Sequence, residues 1–377
     1  MSREKKVRHY MDYSLLFSVI FLLLFGLIMV YSASSYEASL KFDDSAFYLK
    51  NQARATALGF LVMLIIARID YHFWRVTALP AYIFSLILVF LVLTPLGVTR
   101  NGARRWLDIG ISVQPAEAAK VGVILLFAAY LCKYGKKLSS TGTGLFLCLA
   151  AAGIPAGMVL FITSNMSSAI IIFGIAAVMV FVSSPKTLPF ILIALAAVGG
   201  AALIVYLVVH DIIPEGISFR MARIRAWLQP EAYASGTGYQ TLQALYSIGA
   251  GGVFGKGLGQ STQKLGFVPE AQNDMIFSII CEELGLFGAV AIMFMFIILI
   301  WRFVIIARNA PDKYGAFLVT GVMAHIAIQV ILNIAVVTNS IPNTGITLPF
   351  ISYGGTSVLF LLFEIGLALS VSRSITV

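Results

Sequence analysis

Long apolar runs broken by short polar interruptions dominate the chain, and the length of those runs is its first structural signal. Windows of about 20 residues, the number a helix needs to cross a bilayer core, mark spans near 12 to 33, 51 to 68, 76 to 95, 116 to 132, 144 to 163, 167 to 184, 187 to 209, 274 to 300, 316 to 338 and 350 to 372. About ten helices of this kind predict an all-α polytopic membrane protein with one transmembrane domain over residues 1–377. Two polar segments, 96 to 115 and 210 to 273, are too long and too rich in special residues to be simple connectors.

Composition removes the soluble alternative. Of 377 residues, 59% are hydrophobic and 11% charged, a balance that a water-soluble globule of this size cannot bury in one core. The first span is preceded by charges and followed by SASS, as a cleaved signal would be, but its apolar run is long for a signal core and predicts a retained helix. Basic residues flank alternate loops: Arg3, Lys5, Lys6 and Arg8, then Arg68 and Arg75, then Lys133, Lys136 and Lys137, then Lys186, then Arg302, Arg308 and Lys313, and last Arg373. Lys and Arg beside a span resist translocation, so both termini are expected in the cytoplasm, with one large extracellular loop of about 210–273 between helices 7 and 8.

The net charge of +9 is therefore largely a topology signal and does not point to nucleic acid. Arg100, Arg104, Arg105, Arg220, Arg223, Arg225, Lys256 and Lys264 are different, because they fall on the outer side where topology does not require them. Their natural counterpart is an anion outside the membrane. Cys132, Cys148 and Cys281 lie in or beside spans and suggest packing, with neither a disulfide nor a metal site. The histidines His9, His72, His210 and His325 share no ligand spacing.

Four stretches carry candidate chemistry. In KLGFVPEAQNDMIFSIICEE, Asp274 stands where the long loop meets an apolar helix, with Glu270 four residues before it and Lys264 earlier still. Asn273 and Asp274 also fit as a helix cap and first-turn residue. A carboxylate losing water at that boundary would gain a raised pKa and could accept a proton. In NGARRWLDIGISVQPAEAAK, Arg104, Arg105 and Trp106 precede a helix with Glu117 and Lys120 on one face, either a structural ion pair or a substrate lining. In IPNTGITLPFISYGGTS, prolines and glycines break the helical pattern at membrane depth, and Ser352, Tyr353 and Thr356 could present hydroxyls to a headgroup. The glycine-rich IGAGGVFGKGLGQ, which holds Lys256, suits either tight turns or close approach of amides to an anion, and lacks the Walker spacing. FRMARIRAWLQP reads as a short interfacial helix anchored by Trp227. Glu364 and Asn165 have no evident role, and Glu282 and Glu283 call for a partner inside the bundle.

With these motifs in place, ARRWLDIG and QPAEAAK within 103 to 120, GYQTLQALYSIGAGGVFGKGLGQS at 238 to 261, KLGFVPEAQNDMIFSIICEELGLFG at 264 to 288 and LPFISYGGTS at 348 to 357, nearly the whole chain resembles the SEDS family of bacterial cell-shape, division and sporulation proteins, its FtsW branch above all. The resemblance implies a ten-helix peptidoglycan glycosyltransferase that polymerises lipid II at the outer face of the bacterial cytoplasmic membrane, for septal wall synthesis in division. Elongation in the manner of RodA and sporulation are the alternatives within the family; a lipid II flippase or a non-catalytic scaffold for a transpeptidase are the alternatives outside it. The implied partners are lipid II, a class B penicillin-binding protein transpeptidase and other division proteins. By the same resemblance the family's essential loop aspartate falls on Asp274, its loop glutamate on Glu270, and its Arg-Trp, Glu and Lys on Arg105, Trp106, Glu117 and Lys120. Two departures stand out: Asn165, Met166, Ser167 and Ser168 replace an Asp-containing motif, and Gln272, Asn273 and Met275 replace His, Thr and Phe around the aspartate.

The reaction so implied needs a base and an anion sink. Asp274 is expected as general base with Glu270 tuning it, and Arg105, Lys120, Arg220 and Lys256 as cations for the leaving diphosphate. Lys264, Trp106, Glu117, Ser352 and Tyr353 are expected to line the substrate. The residues call for no particular cofactor, and a divalent cation bridging Asp274 and the diphosphate is compatible with them.

Overall fold

The computed structural model describes residues 11–375 apart from 101, 109, 111, 139–141, 185, 211 and 213–218. The basic tail before residue 11 lies outside the described residues. Long helices form where the apolar runs predict them: α1 (Tyr13–Phe42), α2 (Phe47–Ile66), α3 (Phe73–Leu91), α4 (Pro115–Leu138), α5 (Gly142–Ile162), α6 (Met166–Ser183), α7 (Leu188–Val209), α10 (Ile276–Asn309), α11 (Lys313–Val337) and α12 (Gly355–Arg373). Nine of the described helices are long and apolar enough to cross a membrane, and the tenth predicted span, α5, contributes the shorter apolar stretch Cys148–Ile162. α1 and α10 run beyond their predicted ends, to Phe42 and Asn309, because neither sequence meets a helix breaker where its apolar run stops. α12 begins at Gly355, later than the predicted 350, since Pro349 and the glycines that follow hold the preceding backbone out of helix.

Inside a bilayer the hydrophobic effect does not drive helices together, so close packing must do it. Glycines stand at the crossings. A Cβ on Gly59 would press on Leu362, one on Gly366 on Ile66, and one on Gly321 on Ile124 and Met179. Polar ties close the end that carries both described termini. Asp12 caps α1 by accepting from the Leu15 N–H at 2.8 Å and pairs with Arg302 at 2.6 Å, while its own N–H donates to Ser372 at 2.8 Å. α7 packs on little besides the start of the outer loop and leaves nearly all of its apolar surface exposed.

The other end carries the features that the hydropathy pattern leaves blank. Segment 96 to 115 folds as a small antiparallel sheet, β1 (Gly97–Arg100), β2 (Ala103–Asp108) and β3 (Ser112–Val113), in the order β1-β2-β3. The large loop contributes α8 (Phe219–Leu228), as its sequence predicts, and also α9 (Tyr239–Gly251). α10 is broken at Gly285, whose φ of 67° and ψ of −168° leave the helix. The glycine-rich stretch fills this break: the N–H groups of Lys256 and Gly257 donate to the carbonyls of Glu282 and Glu283, both at 2.9 Å, and the Leu286 N–H donates to Gly252 O at 2.9 Å. A Cβ on Gly285 would lie 2.3 Å from Gly255 N, so only glycine permits this approach. Those two amides thus satisfy carbonyls of the broken helix, which supports the close-packing reading of IGAGGVFGKGLGQ over an anion cradle.

Candidate functional site

Asp274 owes its position to three clamps on successive carbonyls. The Tyr353 N–H donates to Gln272 O at 2.9 Å, the Ser352 hydroxyl to Asn273 O at 2.7 Å, and the Asn333 side-chain amide to Asp274 O at 2.9 Å. Glu270 turns the chain with a positive φ of 55°, a backbone state that costs a non-glycine residue free energy and persists where its surroundings impose it. Asn273 bonds back to Glu270 through both its backbone N–H and its side-chain amide. Met275, not Asp274, is the N-cap of α10 and makes no side-chain capping bond, so the capping alternative is not what the chain adopts.

The carboxylate of Asp274 faces Gln240 of α9, whose amide nitrogen lies 3.4 Å from Oδ1 and 3.5 Å from Oδ2. Gly345 borders it, with a Cβ there placed 3.7 Å from Oδ2. Burial pushes the Asp274 carboxyl up to about 7, and the charge of Glu270 adds to the rise, while Arg223 and Gln240 pull it back only in part. Asp274 nevertheless keeps part of its surface accessible.

Arg223 lies close enough to Asp274 for the two charges to act on one another, and Arg105 lies close enough to feel the charge of Arg223. Arg223 of α8 donates to Asn343 O at 3.0 Å, and Asn343 in turn donates from its amide to Gln240 Oε1 at 2.9 Å. Arg105 of β2 donates to the carbonyls of Thr163 at 3.2 Å and Ser164 at 3.0 Å. Burial lowers the pKa of both, and the charge of Arg223 lowers that of Arg105 further. Asp274 acts on Arg223 in the opposite sense. Trp227 locks α8 in place by donating its indole N–H to Asn339 O at 2.9 Å. Trp106 follows Arg105 in β2, opposite Val98 in the register.

Most of the remaining predicted site residues have partners within the protein. Lys264 is buried and pairs with Glu283 at 2.8 Å, also reaching Ser32 of α1 at 3.1 Å. Lys256 pairs with Glu282 at 2.6 Å, and Ser261 and Thr262 bond to the same carboxylate. These lysines answer the two intramembrane glutamates and pin the loop to α10. Each ammonium thus has a counterion within the protein, where the sequence expects a contact with substrate. Lys120 and Glu117 pair at 2.7 Å, and the Lys120 side chain is only 2% exposed, while Glu117 Oε2 is buried without a hydrogen-bond partner within the protein. Ser352 is buried as well; besides Asn273 O its hydroxyl meets the Leu348 N–H at 2.7 Å, so it builds the scaffold and does not present itself to a headgroup. Tyr353 is partly exposed and packs edge-on against Tyr48 at 5.0 Å between ring centroids. The Arg220 side chain lies outside the described residues.

Sequence reasoning passed over Gln240, Asn343 and Asn333, and ranked Arg223 below Arg220. The i, i+4 spacing of Gln329 and Asn333 on one face of an apolar helix was the available signal. Asn165 is the N-cap of α6, accepting from the Ser168 N–H at 3.1 Å. Aspartate caps equally well, and here it would stand beside the carbonyls that hold Arg105. Asn165→Asp is therefore expected to melt within about 1 kcal/mol of the parent in thermal unfolding. Among the described residues no three His, Cys, Asp or Glu side chains gather as a metal cage. Asp274 and Glu270 supply two carboxylates beside the positive Arg223, a donor set too small to hold a divalent cation without oxygens from a substrate.

The comparisons with known proteins agree on one kinship. The sequence pattern of the FtsW/RodA/SpoVE family, described as cell cycle proteins, matches residues 13–376. Stage V sporulation protein E of Bacillus subtilis is 40% identical over 364 residues, covering 96% of this chain and 97% of that protein. The probable peptidoglycan glycosyltransferase FtsW of Trichlorobacter lovleyi is 39% identical over 368 residues, covering 97% and 93%. Among solved structures, a chain of a peptidoglycan synthase complex that coordinates polymerization and crosslinking superposes with a TM-score of 0.77 at 26% identity, covering 96% of this chain and 98% of that one. The rod shape determining protein RodA of Thermus thermophilus, at 24% identity and a TM-score of 0.66 with 97% of each chain covered, shares the fold.

Proposed function

The chain belongs to the FtsW/RodA/SpoVE family of cell cycle proteins, and from that membership we propose that it is a peptidoglycan glycosyltransferase polymerising lipid II at the recess around Asp274. The observation that carries this reading is a partly accessible carboxylate with a pKa of about 7, with the Arg223 guanidinium beside it and Arg105 within reach of the Arg223 charge, at the end of the bundle opposite the described termini. The basic flanks of the spans support an extracellular position for that end.

Asp274 takes the proton from the acceptor sugar 4-hydroxyl as its oxygen attacks C1 of the donor. The new C1–O bond forms while the bond from C1 to the diphosphate breaks on the opposite face, so configuration inverts. Lipid-linked diphosphate leaves with the bonding electron pair, and Arg105 and Arg223 stabilise its charge. Glu270 keeps Asp274 basic by its negative charge. A fixed base matched to neutral pH suits this step, since a carboxylate with an ordinary pKa near 4 would be a weak base. The buried ionisable groups pair within the bundle, Glu117 with Lys120 and His325 with Glu364, which supports an enzyme over a flippase.

Purified full-length chain, alone and with its cognate transpeptidase, is expected to convert lipid II into glycan strands. Passage of labelled lipid II across a vesicle bilayer without any strand formation would sink the reading in favour of transport. The ionisation of Asp274 sets the pH dependence: kcat/KM rises with pH while the acid form predominates and levels off above about 7. A flat profile between pH 5 and 8 (roughly two units below to one unit above that midpoint) would show that another group is the base.

For the cellular process the reading is septal wall synthesis with a class B penicillin-binding protein as partner. The 40% identity to the B. subtilis sporulation protein supports a sporulation role as the second reading. Imaging a fluorescent fusion at the division septum of growing cells, or only in sporulating ones, separates the two.

A further inference from the structure

A buried chain of polar side chains crosses the bundle below the recess, and the proposed chemistry touches none of it. Glu364 of α12 and His325 of α11 are both fully buried, with His325 Nδ1 2.8 Å from Oε2 and 3.0 Å from Oε1. The other ring nitrogen, Nε2, lies 2.9 Å from Gln329 Oε1. Gln329 Oε1 also accepts from Lys120 Nζ at 3.2 Å, and its Nε2 donates to Thr347 O at 3.0 Å.

Donor and acceptor rules leave this chain one sense. An ammonium can only donate and a carbonyl can only accept, so Lys120 and Thr347 together fix the Gln329 amide with its oxygen toward His325. His325 Nε2 must then carry hydrogen. Opposite it, Nδ1 either donates to an ionised Glu364 or accepts from a protonated one. In both forms the pair is neutral as a whole and Nε2–H stays on Gln329.

The output of the chain is positional. Gln329 holds Thr347 O, and Asn333, one turn further along α11, holds Ile346 O at 2.6 Å and Asp274 O at 2.9 Å. Gly345, which borders the Asp274 carboxylate, belongs to the same strap. α11 therefore grips both the strap and the backbone of the proposed base with two amides four residues apart.

We propose that His325, Gln329 and Glu364 are positioning residues for the reaction: through Lys120 and Thr347 they set the 345–348 strap, and with it the wall of the recess, against Asp274. This rests on the glycosyltransferase reading of that recess. It adds to it a remote determinant in the membrane interior that never meets the substrate.

The test compares full-length parent, the double variant His325→Leu/Glu364→Leu, Gln329→Met, Glu364→Gln and Asp274→Asn for lipid II polymerisation at graded substrate concentration, with thermal unfolding of each. Replacing both partners of a buried pair by apolar groups is often close to neutral for stability. The double variant is therefore expected to fold, and Gln329→Met, which keeps the side-chain volume but leaves buried partners unmet, to fold with a lowered melting temperature; both are expected to show kcat lowered at least about tenfold and KM within about twofold, because misplacing a base by a fraction of an ångström acts on the chemical step. Glu364→Gln is expected to keep at least about half of the parent kcat, since its amide can serve Nδ1 and leave Nε2–H in place. A folded double variant or Gln329→Met turning over like the parent overturns the proposal, as does failure of both to fold, which would make the chain a folding element. Glu364→Gln as slow as the double variant overturns the hydrogen assignment on His325. If Asp274→Asn also polymerises at the parent rate, the reading of the recess itself is at fault.

Discussion

Asp274→Asn is expected to leave a folded membrane protein whose polymerisation of lipid II is slower by about 10² to 10⁴, the range for removing a positioned general base. Asparagine retains the size and the contact with Gln240 but cannot take a proton. The backbone clamps from Tyr353, Ser352 and Asn333 do not involve the Asp274 side chain, so they survive the change. Stability should move the other way. Burial raises the carboxyl pKa to about 7, so ionisation above that pH opposes folding, and the neutral amide escapes this cost. For a carboxyl of raised pKa the penalty is absent below the unfolded value, grows as pH rises toward about 7 and is constant beyond. At pH 8 the variant is thus expected to melt higher than the parent, by roughly 1 to 2 kcal/mol after allowance for its partial exposure. Strand formation on gels and differential scanning of both proteins at pH 5 and pH 8 (roughly the limbs on either side of the midpoint) read the two effects. A variant that polymerises at the parent rate would remove Asp274 from the chemistry.

The second large effect lies at Lys264, where stability should collapse without any contact to substrate. Lys264→Ala leaves the Glu283 carboxylate buried with Ser32 and the Ser261 N–H as its neutral hydrogen-bond donors. Breaking a buried ion pair from one side costs about 3 to 5 kcal/mol. The loop that leaves α9, packs into the break in α10 and ends in Asp274 is tied by this bond, so activity is expected to fall together with the melting temperature. Lys264→Met combined with Glu283→Gln should recover most of the stability, because it removes both charges at once. Unfolding measurements on the single and double variants check this. An unchanged melting temperature for Lys264→Ala would return the lysine to the list of substrate contacts.

Residues of similar appearance thus parted ways. Lys264 and Arg223 both read as outer cations without a topological reason, yet Lys264 is matched by Glu283, which lies nineteen positions away in sequence, while Arg223 turns toward the Asp274 recess. Glu364 looked isolated because its partner, His325, belongs to another helix. Ser352 looked like a hydroxyl on offer, and the fold uses it as a clamp on Asn273. In each case the deciding fact is a contact between segments far apart in the chain.

What the sequence determined by itself is what depends on local length, composition and flanking charge. The long apolar helices, the outward large loop and the cost of a carboxylate at Asp274 follow from the need of every membrane-buried backbone group to bond within its own helix, and from the resistance of Lys and Arg to translocation. The tertiary structure alone decided which charges pair across the bundle and which come to lie beside Asp274. Ion pairing and desolvation depend on distances across helices, such as the 2.8 Å from Lys264 to Glu283 and the crowding that raises Asp274 to about 7. Those distances exist only once the bundle has closed.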